Sequence, residues 1–360
     1  MPHQTETQLR RERLIASLSE TRADGFVVTA SPNGRYLSGF TGDHGALLLT
    51  PDRSLLFTDP RYDSQASEES DCDLKIATGP LMKELSTWIK RLRLNSVAFE
   101  RNRISFDDYS RLKESTSSVR LKPAADLVEA LRMVKSPAEI ATIKASVRLN
   151  SAALEQALRH FKRSMTEMDL AAEVEYRMRR LGADGPAFET IVASGKRTAL
   201  PHARPADFPI QHDELLLVDM GANVAGYASD MTRTHAVGKL DSKRKRMYRA
   251  VLESQLAAID TVKPGVTCAS VDRATRNTLR GFGMERLFIH STGHGVGLEI
   301  HERPRVGRKE MTKLEAGMVI TIEPGVYQEG FGGIRIEDTV LVTAGGCEIL
   351  TPTGKELVVL

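Results

Sequence analysis

The chain has 360 residues, 41% hydrophobic and 27% charged, the balance of an ordinary globular protein long enough for two domains. Its 50 basic and 47 acidic side chains leave a formal net charge of +3, which offers no electrostatic footprint for nucleic acid. Cys72, Cys268 and Cys347 are too few and too scattered for a disulfide framework or a CxxC metal motif, and no apolar run reaches the ~18 residues of a membrane span.

The opening stretch MPHQTETQLRRERLIASL lacks the apolar core of a signal peptide, which together with the cysteine usage points to the cytoplasm. Its basic cluster RRER (Arg10–Arg13) and the later KRKR (Lys243–Arg246) read as solvated helix faces. GFVVTA, ALLLT and SLLFTD are short apolar runs bounded by turn residues, as buried strands are. KELSTWIKRL has helical spacing, and SVAFE is a further strand. Residues 1–130 therefore read as an α/β domain.

A long amphipathic helix opens the second domain, residues 131–360. Ser136 caps it, Pro137 suits its first position and Glu139 completes a capping box. VKPG stops a later helix, and CASVDRATRNTLRGFG ends the next at glycine. Two strand pairs follow the same plan of apolar run, Gly-containing turn and second strand: ELLLVDMGANVAGYASDMTRTHAVG and GMVITIEPGVYQEGFGGIRIEDTVLVT. Helices with strand pairs predict an α+β domain, its helices covering one face of antiparallel sheet.

Each hairpin carries two acids. Pairing the first about Val224–Ala225 sets Asp219 opposite Asp230, and pairing the second about Gly330 sets Glu323 opposite Glu337. Like charges facing each other after apolar strands need counter-charge. Divalent cations supply it, and His294 in FIHSTGHGVGLEIHERP adds an imidazole. One nitrogen among oxygens suits Mn²⁺, Co²⁺, Fe²⁺ or Zn²⁺ better than Mg²⁺. The competing reading is a pair of plain ion pairs, Asp230 with Arg233 and Glu337 with Arg335. His160, His212, His235 and His3 carry no assigned role.

At these residues the chain resembles the pita-bread metallopeptidases: methionine aminopeptidase, prolidase, aminopeptidase P and the metal-free creatinase. VDMGANVAGYASDMTRT, GHGVGLEIHERP, TIEPGVY and GGIRIEDTVLVT carry the likeness, which spans about residues 135–355. It implies a dinuclear centre on Asp219, Asp230, His294, Glu323 and Glu337, with Mn²⁺ first and Co²⁺, Zn²⁺ or Fe²⁺ as alternatives. It also implies active-site roles for His301 and, through LPHARP, His202. In the mechanism expected here, Glu323 also carries a proton. YLSGFTGDHGALLLT and LFTDPRYDSQA resemble the creatinase/prolidase type of N-terminal domain found in proline-specific relatives. The resemblance therefore implies a pita-bread catalytic domain after that domain, a homodimer, and hydrolysis of Xaa–Pro bonds in proline-containing peptides.

The expected activity is that of an Xaa-Pro aminopeptidase. The alternative is an Xaa-Pro dipeptidase, or prolidase, which needs an anchor for the free carboxylate; Arg303, Arg305 and Arg308 are candidates. A remote alternative is an inactive peptide-binding module. His290 either lines the proline pocket, orients a ligand or is simply a hydrogen-bonded histidine. Arg335, two residues from Glu337 and on its face, is a candidate for holding a carboxylate. Tyr227 is a candidate site-lining residue. Gly293, Gly295 and Gly297 let backbone pass close to the centre.

Overall fold

The computed structural model describes residues 4–18 and 21–360; His3 lies outside the described residues. The chain clusters into two compact units, Met1–Arg132 and Met133–Leu360.

In the first unit one six-stranded mixed sheet runs in the order Asp73–Ile76, Ser54–Thr58, Gly45–Leu49, Gly25–Val28, Ser96–Glu100, Arg120–Ala124. Gly25–Val28 is parallel to Ser96–Glu100 and antiparallel to Gly45–Leu49. Both of the first two are buried along their whole length, which explains their continuous apolar runs. Met82, Leu85 and Ile89 of helix Leu81–Arg91 pack on Leu48, Leu55 and Phe57.

The RRER expectation fails at its first half. Arg10 and Arg11 are buried, donating to the carbonyls of Tyr36 and Leu37 at 3.1 and 2.7 Å. Those carbonyls lie in the last turn of helix Ser31–Ser38, where backbone acceptors lack helical partners and attract cations. Asp71 balances Arg11 at 2.8 Å. In KRKR, Lys243, Lys245 and Arg246 are exposed, while Arg244 is ion-paired with Glu214 and Asp241.

The second unit repeats one plan twice. A helix pair, Pro137–Arg159 with Glu167–Arg180, backs a sheet of Ile191–Ser194, Glu214–Met220 and Met231–Val237. A second pair, Ser242–Thr261 with Cys268–Gly281, backs a five-stranded sheet containing Gly293–Gly295, Val319–Ile322 and Asp338–Val342. Ser136 and Glu139 form the expected capping box, and Thr166 and Asp169 form another. The second helix of each pair starts at a threonine cap, Thr166 or Thr267, and each of these threonines makes an isolated antiparallel bridge, to Pro209 and to Lys313.

Strand alternation sorts the side chains of this unit. Leu216, Val218 and Met220 enter the core under the first helix pair, and Ile320, Ile322, Val340 and Val342 that under the second. The odd-numbered neighbours Asp219, Thr321 and Thr339 therefore point to the opposite faces. Replacing Ser136 by Ala is expected to cost about 1 kcal/mol of unfolding free energy, as loss of a helix cap does. Urea denaturation of the whole chain checks it; an unshifted midpoint would mean the cap contributes nothing.

Candidate metal centre

The first hairpin corrects the expected register. Its tip is Ala225–Gly226, both with positive φ (45° and 72°), so Val224 pairs with Tyr227. A tip at Val224–Ala225 would have forced left-handed backbone on a β-branched residue, whereas this tip suits the turns that twisted hairpins favour. Asp219 consequently pairs with Thr232, and Asp230 sits just before strand Met231–Val237. A two-residue shift preserves the face, so both acids still reach the same side. In the second hairpin Gly325 pairs with Arg335 and Ile322 with Asp338, which sets Glu323 across from Glu337 between the two ladders.

Asp230, His294 and Glu337 each present one ligand atom within 4.8 Å of the others. The Nε2 of His294 is 3.5 Å from both Asp230 Oδ2 and Glu323 Oε1. Its Nδ1 is 3.0 Å from the Gly295 carbonyl, which takes a proton from Nδ1 and leaves Nε2 with a lone pair. Burial, then His301, pushes this imidazole down to about 4, so it is neutral. A lone-pair nitrogen thus faces two carboxyl groups, an arrangement in which a cation can take the place of protons. Asp219 Oδ1 is buried and without a hydrogen-bond partner among the described residues, a further lone pair for the same purpose. The residues fit a divalent cation centre.

Crowding shifts the acids. Burial, then the charges of Glu337, Asp219 and Glu323, pushes Asp230 well above the usual carboxylate range. Burial, then Glu323 and Asp219, does the same to Glu337, and burial pushes Glu323 up to about 7.

Neither plain ion pair forms as expected. Arg233 pairs with Asp338 at 2.8 Å, and Arg335 donates to Asp219 Oδ2 at 2.6 Å. Arg335 also donates to the Tyr327 hydroxyl at 2.7 Å and, through Nε, to Thr232 Oγ at 3.1 Å. Thr232 in turn donates to Glu337 Oε2 at 2.7 Å. His290 Nδ1 lies 2.8 Å from the Ser291 carbonyl and its Nε2 3.0 Å from Tyr327 OH. The carbonyl places the proton on Nδ1, so Tyr327 donates to His290 and accepts from Arg335. His290 is thereby connected to Asp219 through two side chains rather than placed among the ligand atoms. Tyr327 was missed in the sequence, although period-two counting from Glu323 reaches it.

The His301 ring lies 4.3 Å from the His294 ring, tilted by 71°. Burial lowers its pKa, and His202 acts on it in the same direction. His202 is exposed on a loop whose ends converge on Glu167. Fully buried, Glu167 accepts from the backbone N–H groups of Ser194 and Ala206 and from Arg197. The Pro201 carbonyl, next to His202, accepts from Arg335 at 3.3 Å. Tyr227 is turned elsewhere: its hydroxyl donates to Glu139 at 2.9 Å and its side chain packs against the cluster that holds Ile143, Val147 and Val296. His235 is buried in strand Met231–Val237; His160 and His212 lie within 4.0 Å of Glu173 and Asp213.

Glycine is required where the strands touch. A β-carbon on Gly293 would lie 1.9 Å from the Thr321 carbonyl oxygen, and one on Gly295 2.2 Å from that of Arg303. This closeness brings His294 over Glu323, whose N–H donates to the Thr292 carbonyl at 2.7 Å.

Buried carboxylates and one imidazole on two helix-backed antiparallel sheets define a candidate centre for a divalent cation. The sequence profile of metallopeptidase family M24 matches residues 141–344, and that of the creatinase/prolidase N-terminal domain matches residues 10–134. An Xaa-Pro dipeptidase of Pyrococcus horikoshii is 36% identical over 96% of this chain and 98% of its own length. An Xaa-Pro dipeptidase from Bacillus anthracis superposes with a TM-score of 0.96 at 37% identity, covering 98% of this chain and all of that one. An X-Pro aminopeptidase from Thermotoga maritima does so with 0.90 at 35% identity and the same coverage. The chain belongs to metallopeptidase family M24, and it has that family's pita-bread fold behind a creatinase-type N-terminal domain.

The raised acids set a pH dependence. An acid whose folded pKa lies above its unfolded value stabilises the fold below the unfolded value and loses that effect as pH rises through the folded one. For Glu323 the window runs from 4.5 to about 7. The metal-free protein is expected to lose Tm between about pH 4.5 and about pH 7, while Mn²⁺ restores more of it at the upper end, where protons no longer compete for the same oxygens. Calorimetric melts with and without Mn²⁺ check this; a Mn²⁺ gain independent of pH would contradict it.

Proposed function

We propose that the protein is an Xaa-Pro dipeptidase that uses two divalent cations, Mn²⁺ first, held by Asp219, Asp230, His294, Glu323 and Glu337. The carrying observation is the convergence of the His294 lone pair on Asp230 and Glu323 in a chain of this family. The aminopeptidase expected from the sequence gives way to the dipeptidase because relatives that match nearly end to end are named dipeptidases. The Thermotoga maritima likeness keeps the aminopeptidase as the second reading. A homodimer in the cytoplasm belongs to the same proposal; among the described residues no helix is long and apolar enough to cross a membrane.

The Xaa–Pro bond is a tertiary amide without N–H, and its nitrogen must be protonated to leave. Bound at the centre, the cations supply Lewis acidity and a nucleophilic water at neutral pH. The carboxylate of Glu323 takes up a proton from the attacking water and returns it to the proline nitrogen. His301 and His202 donate to the carbonyl oxygen as charge grows on it, a contribution of about 3–4 kcal/mol for a well-placed donor. Arg335 holds Asp219 in register and so acts through it.

Among the three candidate arginines, Arg305 is the cross-strand partner of His294. Arg308 leans to Glu285 at 3.8 Å, and Arg303 acts on Glu310. Arg305 is therefore the anchor for the free proline carboxylate, as a planar guanidinium suits.

With Mn²⁺-loaded protein, Xaa-Pro dipeptides are expected to be cleaved well, and Xaa-Pro amides and Xaa-Pro-Yaa tripeptides poorly. Replacing Arg305 by Ala should raise KM for the dipeptide while leaving the amide unchanged. Preference for the tripeptide would establish the aminopeptidase instead, and cleavage of neither would sink both. Changing His301 to Ala should lower kcat by about 10²–10³-fold with metal content unchanged by elemental analysis; an unaltered kcat would remove its catalytic role.

A further inference from the structure

Behind Glu337 lies a second buried charge group that the proposed reaction does not use. Asp338 is fully buried and meets three donors at 2.8 Å each: Arg233 Nη2, Gln255 Nε2 and Lys355 Nζ. Arg233 is 2% exposed, and its guanidinium spends every N–H within one plane. Nε donates to the Gly354 carbonyl at 2.9 Å, and Nη2 to Asp338 and to the Thr353 carbonyl at 2.6 Å. Nη1 donates to the carbonyls of Thr232 and Glu337. Lys355 adds a bond to Gln255 Oε1 at 3.0 Å, and its own carbonyl accepts from Tyr248 OH.

One rigid fork thus ties three pieces of chain together: the Thr232 strand, the Glu337–Asp338 link and segment Thr353–Lys355. The first two also grip each other directly. The Glu337 N–H donates to the Thr232 carbonyl at 3.1 Å, and Thr232 Oγ donates to Glu337 Oε2 at 2.7 Å. The direction of the Glu337 carboxylate therefore depends on where Arg233 holds those two backbones. Asp338 supplies the charge that lets Arg233 stay buried, and Lys355 ties the third piece of chain to the same carboxylate.

We propose that Arg233, Asp338 and Lys355 are positioning residues for Glu337, and that segment Thr353–Lys355 is thereby part of the support that sets cation affinity at the Glu337 corner of the centre. The inference rests on the reading of Glu337 as a ligand.

The test is calorimetric titration of the metal-free full chain with Mn²⁺ alone, alongside a thermal melt without metal. Arg233→Lys keeps the charge and loses the fork; it is expected to weaken one cation by roughly 10–100-fold and to leave the other unchanged. Lys355→Met, at a side chain that is 17% exposed, is the milder variant that keeps the fold; it should weaken the same cation several-fold, and Lys355→Arg should recover it. A purely structural role would lower the melting temperature and leave both affinities as they were, which would overturn the proposal. Glu337→Gln separates the two levels. If it removes one cation while Lys355→Met and Arg233→Lys bind like the parent, the positioning role falls and the ligand reading stands. If Glu337→Gln binds both cations normally, the ligand reading itself falls.

Discussion

The second unit is organised around one electrostatic constraint. Asp219, Asp230 and Glu337 are buried and Glu323 lies beside them, so four like charges share one low-dielectric site. Left to themselves, such groups hold protons, which is the direction in which burial drives Asp230, Glu323 and Glu337. Cations remove the conflict by replacing protons with stronger and shared counter-charge. The helix pairs, the strand alternation and the glycine contacts are the means by which the chain pays the conformational cost of bringing those oxygens together.

Arg335 shows how the remaining lone pairs are assigned. It is the fixed positive charge inside the cluster, and its donors go to Asp219, Thr232, Tyr327 and the Pro201 carbonyl. Tyr327 passes the order on to His290, whose far nitrogen ends on a backbone carbonyl. Each hydroxyl has one donor role and one acceptor role in this chain, so the tautomer of His290 and the direction of the Asp219 carboxylate are set together. The other oxygen of Asp219 is buried without a hydrogen-bond partner among the described residues, a lone pair open to a cation.

Much of the fold was legible. The strands at Gly25–Val28, Gly45–Leu49, Ser54–Thr58 and Ser96–Glu100 announce themselves by apolar runs, and helix Pro137–Arg159 by its capping box. The second hairpin register followed from its turn. The first did not, because choosing its tip requires knowing that Ala225 takes positive φ, which alanine does not advertise. Arg10 and Arg11 were misjudged for a related reason: a charged run looks solvated until a helix end with free carbonyls is folded against it. Tyr227 looked close to the centre along the chain, but its hydroxyl is taken by Glu139, 88 residues away.

By itself the sequence determined which chemistry was available: two acid-bearing hairpins, a glycine-flanked histidine and strands whose apolar alternation fixes which face each acid shares. These are local properties, set by periodicity two and by the side chains present. Only the tertiary structure decided the pairings among them. Arg233 and Arg335 each sit close in sequence to a proposed ligand, yet each bonds the carboxylate of a residue more than 100 positions away, Asp338 and Asp219. Such choices depend on which backbones are brought within about 3 Å, and hydrogen-bond geometry at that range is fixed by packing rather than by neighbours in the chain.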